Sequence, residues 1–131
     1  QAVYAQVAFK NDFTLVNISS GAANRPIPSW AGYCASKAAL NMLTETFYLE
    51  ELEKENRPTV YAVSPGVIDT DMQAQIRSTE KEDFSSVENF QDLKESNSLY
   101  STKETALRLI GLLKLPFNGQ IAQDLRNIET H

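Results

Sequence analysis

Among its 131 residues the chain has one cysteine and one histidine. A single thiol, Cys34, excludes an internal disulfide and a cysteine-rich zinc site. The lone histidine, His131, is the last residue, so the usual general base and most metal-ligand constellations are missing too. Apolar runs are short, 109–113 with its glycine being typical; none approaches the roughly 20 residues of a membrane-spanning helix. Basic side chains are also in the minority: 12 Lys and Arg against 17 Asp and Glu leave a formal net charge of −5. That balance argues against nucleic acid as a partner, because such binding begins by neutralising phosphates. What is present is ordinary for one globular domain, with 42% hydrophobic and 22% charged residues, which excludes disorder and collagen-like structure. Any chemistry must run on groups other than imidazole, thiol pairs or metal clusters.

The first residue is Gln1 rather than Met, and residues 1–10 are neither a basic-then-apolar signal nor a transit sequence. The front of the chain is therefore expected to be processed or incomplete. Residues 1–9 carry Val3, Tyr4, Val7 and Ala8 at helical spacing and read as the tail of a helix. The β-branched run 13–19 predicts a buried strand, and the Gly- and Pro-bearing stretch that follows predicts a loop. From 33 to 56 the pattern is helical, with Leu40, Leu43 and Phe47 along one face, a charged solvated end, and Pro58 as its stop. Residues 60–63 predict a second buried strand ending at Ser64-Pro65-Gly66. A short helix is expected over 71–77, a surface insertion over 78–98, and a helix opening at Ser101 with a capping box closed by Glu104. That helix carries Leu107, Ile110 and Leu113 or Lys114 on one side; residues 120–125 predict a last strand. Strands alternating with helices imply an α/β fold, a parallel sheet flanked by helices.

Tyr33 and Lys37 carry the chemistry. Four apart on a helix, they project from the same face one turn from each other. An isolated tyrosine, with a pKa near about 10, is a poor proton donor at neutral pH. An ammonium within about 4–6 Å favours the phenolate and lowers that value, which would produce an acid-base group matched to neutral pH. Ser20 lies at the end of the first strand, and Pro65-Gly66-Val67-Ile68-Asp69-Thr70 follows the second. In open α/β sheets ligands bind beyond the carboxyl ends of the strands, so three separate segments are expected to meet in one crevice.

Together, LVNISSGA, YCASKAALN and SPGVIDTDM resemble the short-chain dehydrogenase/reductase family over nearly the whole chain. Within it, SSGAANRPIPSWAGYCASKAALN and PGVIDTDMQAQIRS are similar to the sepiapterin reductase-like and benzil reductase group. The resemblance implies the C-terminal portion of a doubly wound, Rossmann-like domain. It also implies NAD(P)H-dependent reduction of a ketone or diketone, with NADP(H) before NAD(H), in a cytoplasmic enzyme. Tyr33 would protonate the carbonyl oxygen, Lys37 would tune Tyr33 and bind the ribose, and Ser20 would hold the carbonyl oxygen. Pro65 and Gly66 would pass beneath the nicotinamide, while Ile68 and Thr70 would fix its carboxamide. Relatives assemble as homodimers or homotetramers through the helix bearing Tyr and Lys. The family's glycine-rich pyrophosphate turn and its active-site Asn have no counterpart here, so the 131 residues alone are expected to be inactive.

Other residues carry competing readings. Cys34 has no histidine to activate it and reads as a small apolar residue. Asp69 and Asp71 read as turn and cap residues rather than a cation site. Trp30 is either a wall of the substrate pocket or the packing anchor of its loop. Met72, Gln73 and Ile76 either form a lid over substrate, within a closing segment 71–100, or pack a surface helix. Two rival functions stay open, a sugar epimerase or dehydratase using the same Tyr and Lys, and a non-catalytic nucleotide-binding or assembly module.

Overall fold

A computed structural model describes residues 13–54, 57–80, 82 and 84–129. Strands β1 (Thr14–Ile18), β2 (Thr59–Ser64) and β3 (Ala122–Asp124) make one parallel sheet in the order β1-β2-β3. Parallel neighbours cannot be joined by a hairpin. Helix α1 (Ala31–Glu53) spans the first crossover; α2 (Asp71–Arg77), α3 (Val87–Glu95) and α4 (Thr102–Lys114) occupy the second. Short 3-10 turns follow β1 at Gly21–Ala23 and β3 at Leu125–Asn127. The helix expected over residues 1–9 lies outside the described residues.

β2 is the central strand, and Val60–Val63 are all buried because helices cover both its faces. Tyr61 and Val63 pack with Leu112 of α4 and with Leu125; Val16, Leu109, Phe117 and Ile128 close around them. Asn17 alternates with Val16 and so faces the other side, where its Nδ2 donates to Thr44 Oγ1 of α1 at 2.8 Å. Thr44 is fully buried and gives its own hydroxyl proton to the Leu40 carbonyl. The α/β architecture expected from the sequence is therefore present. Ile18 pairs with Val63 and Ser64 with Asp124, so all three strands deliver their carboxyl ends to one edge.

Four expectations are corrected. On α1 the inward stripe carries Asn41, Thr44 and Glu51 beside half-buried Leu40 and Phe47: of the expected face only Leu43 turns out, at 65% exposed, whereas Glu51, expected in solvent, is 1% exposed. Glu51 tolerates burial because Lys54 Nζ lies 2.8 Å from its Oε1, and that contact chiefly raises the Lys54 ammonium above its ordinary pKa. On α4, Leu107, Ile110 and Leu113 face outward, while Thr105, Leu109 and Leu112 face the core. Ser101 does cap α4, accepting from Glu104 N–H at 3.1 Å. The Glu104 carboxylate turns forward to Arg108 instead of back to Ser101. The stretch 78–98 is not merely a surface insertion: it contains α3, and Phe84 and Val87 within it are buried.

Candidate active site

The β1 ladder continues past its last residue through Ser19, whose N–H donates to the Val63 carbonyl at 2.7 Å. Its hydroxyl is pinned to Asn41 Oδ1 of α1. Ser20 follows in extended conformation and caps the 3-10 turn, its Oγ accepting from the Ala22 N–H at 3.2 Å. That bond uses a lone pair, leaving the hydroxyl proton for another acceptor. The loop then runs to Trp30, which holds the N-cap position of α1.

One turn into α1 stands Tyr33, and one turn further Lys37. The Lys37 ammonium donates to the Ile18 carbonyl at 2.9 Å and lies 5.8 Å from the centre of the Tyr33 ring. The end of β1 thus fixes the ammonium beside the tyrosine. At the end of β2, Gly66 adopts φ +84°, in the left-handed region that favours glycine. A β-carbon there would meet the Tyr100 ring at 3.1 Å, so the turn also needs the absence of a side chain. Beyond it, Tyr100 N–H donates to the Val67 carbonyl, and Asp69 N–H donates to the Tyr100 carbonyl, both at 3.0 Å. This parallel bridge turns the N–H and C=O of Ile68 away from Tyr100. Thr70 caps α2 without using its side chain.

These segments enclose a cleft of about 680 Å³. Every site residue expected from the sequence lines it: Ser20, Trp30, Tyr33, Lys37, Pro65, Gly66, Ile68, Thr70 and Met72. A second hollow of about 480 Å³, under α3, shares Arg25, Ile27, Val67 and Phe90 with it. Trp30 lines the cleft, meets the Tyr33 ring edge-on at 5.2 Å, and stacks on Phe84 at 5.1 Å and an interplanar angle of 10°. Phe90 of α3 completes this aromatic group and lines the same cleft.

Sequence reasoning missed Phe90, Asp124 and Arg126. Arg126 forks onto Asp124, its Nε 2.9 and 3.0 Å from the two carboxylate oxygens. Chiefly through that contact, the Asp124 carboxyl sits below the usual range and the Arg126 guanidinium above its own. The last strand expected over 120–125 was the available signal, since any residue ending it must arrive at this edge. Arg25, Lys37 and Arg126 against Asp124 leave the described wall of the cleft net positive. Asp69 is outside it: Lys94 first, then Arg77, hold its carboxyl below the usual range. Cys34 is half-buried. No helix among the described residues is long and apolar enough to cross a membrane.

Comparison with known proteins agrees with this geometry. The chain is 48% identical over 109 residues to a benzil reductase ((S)-benzoin forming) of Bacillus subtilis (strain 168), covering 82% of this chain and 45% of that protein. It is 40% identical over 103 residues to the sepiapterin reductase of Bos taurus, covering 77% of this chain and 36% of that one. A Saccharomyces cerevisiae short chain dehydrogenase/reductase, YIR035C, has a crystal structure that superposes with a TM-score of 0.72 at 33% identity. That match covers 87% of this chain and 46% of the yeast chain. The chain thus spans about half the length, or less, of the relatives it matches. Residues 1–81 match the model of the short chain dehydrogenases, a family of nicotinamide-dependent oxidoreductases to which this chain belongs.

Proposed function

We propose that the whole protein is a cytoplasmic, NADPH-dependent carbonyl reductase that converts a ketone or vicinal diketone to an alcohol. The observation that carries the proposal is the meeting of Ser20, Tyr33 and Lys37 with the Pro65-Gly66 turn in one cleft at the strands' carboxyl ends. The names of the benzil and sepiapterin reductases point the same way.

The residues present suit the nicotinamide end of such a cofactor. The side-chain-free turn at Gly66, the turned-out backbone of Ile68 and the unused hydroxyl of Thr70 offer a flat floor with amide-binding groups. The net positive wall suits a phosphate-bearing ligand. When bound, the nicotinamide supplies the hydride that adds to the carbonyl carbon. Tyr33 Oη gives its proton to the carbonyl oxygen, so that C=O becomes CH–OH. Ser20 donates its hydroxyl proton in a hydrogen bond to that oxygen while negative charge builds on it. Lys37, held by the Ile18 carbonyl, keeps a positive charge beside the phenol and reaches the ribose hydroxyls.

Residues 71–100 serve as a lid in this reading, since Met72, Gln73 and Phe90 line the cleft and Trp30 stacks on Phe84. Assembly as a homodimer or homotetramer through α1 is supported by Met42, Leu43 and Leu49, each well exposed on that helix.

The test is NADPH oxidation by the whole protein with benzil as the vicinal diketone. Tyr33→Phe is expected to lower kcat by about 100-fold or more, the usual worth of a positioned acid, while NADPH binding persists. Equal turnover by both proteins overturns the role of Tyr33. NADPH binding without turnover of any carbonyl would favour a binding module instead.

A further inference from the structure

The Tyr33 hydroxyl has no hydrogen bond among the described residues, so the ring is oriented by packing. Two groups flank it: the Lys37 ammonium, 5.8 Å from its centre, and the Trp30 indole, edge-on at 5.2 Å and an interplanar angle of 76°. Lys37 is itself fixed by the Ile18 carbonyl. Trp30 ends a loop, and its side chain makes no capping bond to α1. What holds the indole is other rings, Phe84 parallel to it at 5.1 Å and 10°, and Phe90 tilted at 5.4 Å and 33°.

Phe84 is 3% exposed and lines neither the cleft nor the hollow under α3, so it has no surface to offer a substrate. Its own segment is held by backbone bonds, Phe84 N–H to the Glu80 carbonyl and Val87 N–H to the Phe84 carbonyl, both at 3.1 Å. Stacked and edge-to-face contacts are the two arrangements that aromatic pairs favour. Here they run in series, Phe84 on Trp30 and Trp30 on Tyr33, and each ring fixes the tilt of the next. Resting on the carbonyl reductase reading above, we propose that Phe84 is a positioning residue for Tyr33. Acting through Trp30, it holds the phenol at the angle from which its proton reaches the carbonyl oxygen. The stretch 78–98 thereby sets the aim of the proton donor.

Phe84→Leu removes the ring and keeps the site apolar. In the whole protein it should lower kcat for benzil about tenfold, within the roughly 100-fold that a misplacement of about 1 Å can cost. KM should stay within about twofold, because Phe84 meets no ligand. In a Trp30→Leu background the same change should alter kcat by less than about twofold, since the link it acts through is gone. Ring-13C-tyrosine NMR reads the geometry without turnover. The Tyr33 signals, identified by their loss in Tyr33→Phe, should shift in Phe84→Leu, while those of Tyr61, packed on Phe117, stay in place. Such a shift in a protein that reduces no carbonyl upholds the positioning and overturns only the reductase reading. Unmoved Tyr33 signals overturn the proposal. So does a raised KM at unchanged kcat, which would make Phe84 an anchor of its own segment alone. An equal loss of kcat in both backgrounds also overturns it, because Phe84 would then act without Trp30. Phe84→Met, whose sulfur packs on the indole, should give smaller changes of the same kind and is read where Phe84→Leu does not fold.

Discussion

Gly66 sits where backbone conformation, packing and the cleft floor coincide, and replacing it by alanine tests all three. At φ +84°, a residue with a β-carbon pays about 1–2 kcal/mol for the left-handed conformation. The added methyl would also stand 3.1 and 3.2 Å from two Tyr100 ring carbons and 3.4 Å from Arg126 Cγ. Tyr100 has little room to retreat. Its backbone is bonded to Val67 and Asp69 of the same segment, and the Arg108 guanidinium lies 5.0 Å from its ring centre. Crowding of this kind costs about a further 1–2 kcal/mol. Gly66→Ala should therefore lose about 2–4 kcal/mol, read as a drop of about 2–4 °C per kcal/mol in a domain of roughly 150–250 residues. Combining it with Tyr100→Leu separates the two contributions, because removing the ring relieves the clash but leaves the φ penalty. The double-mutant cycle should show a favourable coupling of about 1 kcal/mol or more. A loss below about 1 kcal/mol in Gly66→Ala would refute the left-handed constraint, and zero coupling would refute Tyr100 as the wall.

Arg108 closes the molecule behind the cleft, its Nη1 donating to the carbonyls of Leu125, Arg126 and Ile128 at 3.2, 3.3 and 2.7 Å. Arg108→Met should cost about 2–4 kcal/mol, because charged donors to several carbonyls are lost at once. Arg108→Lys should recover only part, having no planar fork; a melting temperature unchanged in both variants would contradict this. The Asp124–Arg126 pair predicts an acid limit. With the Asp124 carboxyl below its ordinary range, chiefly through Arg126, its stabilisation is complete above the unfolded value of about 4. It is lost as pH falls toward the lowered folded value. The melting difference between wild type and Asp124→Asn should be widest at neutral pH and close below about pH 4; a difference independent of pH would exclude the ionised pair.

The alternation of elements was readable because local pattern carries it. The run TVYAVS is β-branched and apolar, and it forms β2. Ser101 stands just before α4, as a capping residue should. The helix faces were another matter. The stripe of α1 that meets the sheet mixes half-buried Leu40 and Phe47 with polar Asn41, Thr44 and Glu51, each of the three paired to a neighbour from a distant or nearby turn. Leucine spacing therefore misplaced Leu43 and missed the polar members, since hydrophobic periodicity assumes that polar groups face water. The same fault misplaced the inner face of α4, where Arg108 turns inward because three carbonyls await it.

For the site, the amino-acid order alone determined that a tyrosine and a lysine share one helix face, because a turn of helix is a local repeat that needs no partner. It also placed Ser20 and the Pro65-Gly66 turn at strand ends. Tertiary structure alone decided that Lys37 is held by Ile18, that Phe84 and Phe90 reach Trp30, and that Gln73, Asp124 and Arg126 line the same cleft. Those meetings join residues separated by 19 to more than 50 positions. They follow from strand register and helix packing, which distribute contacts without regard to distance along the chain.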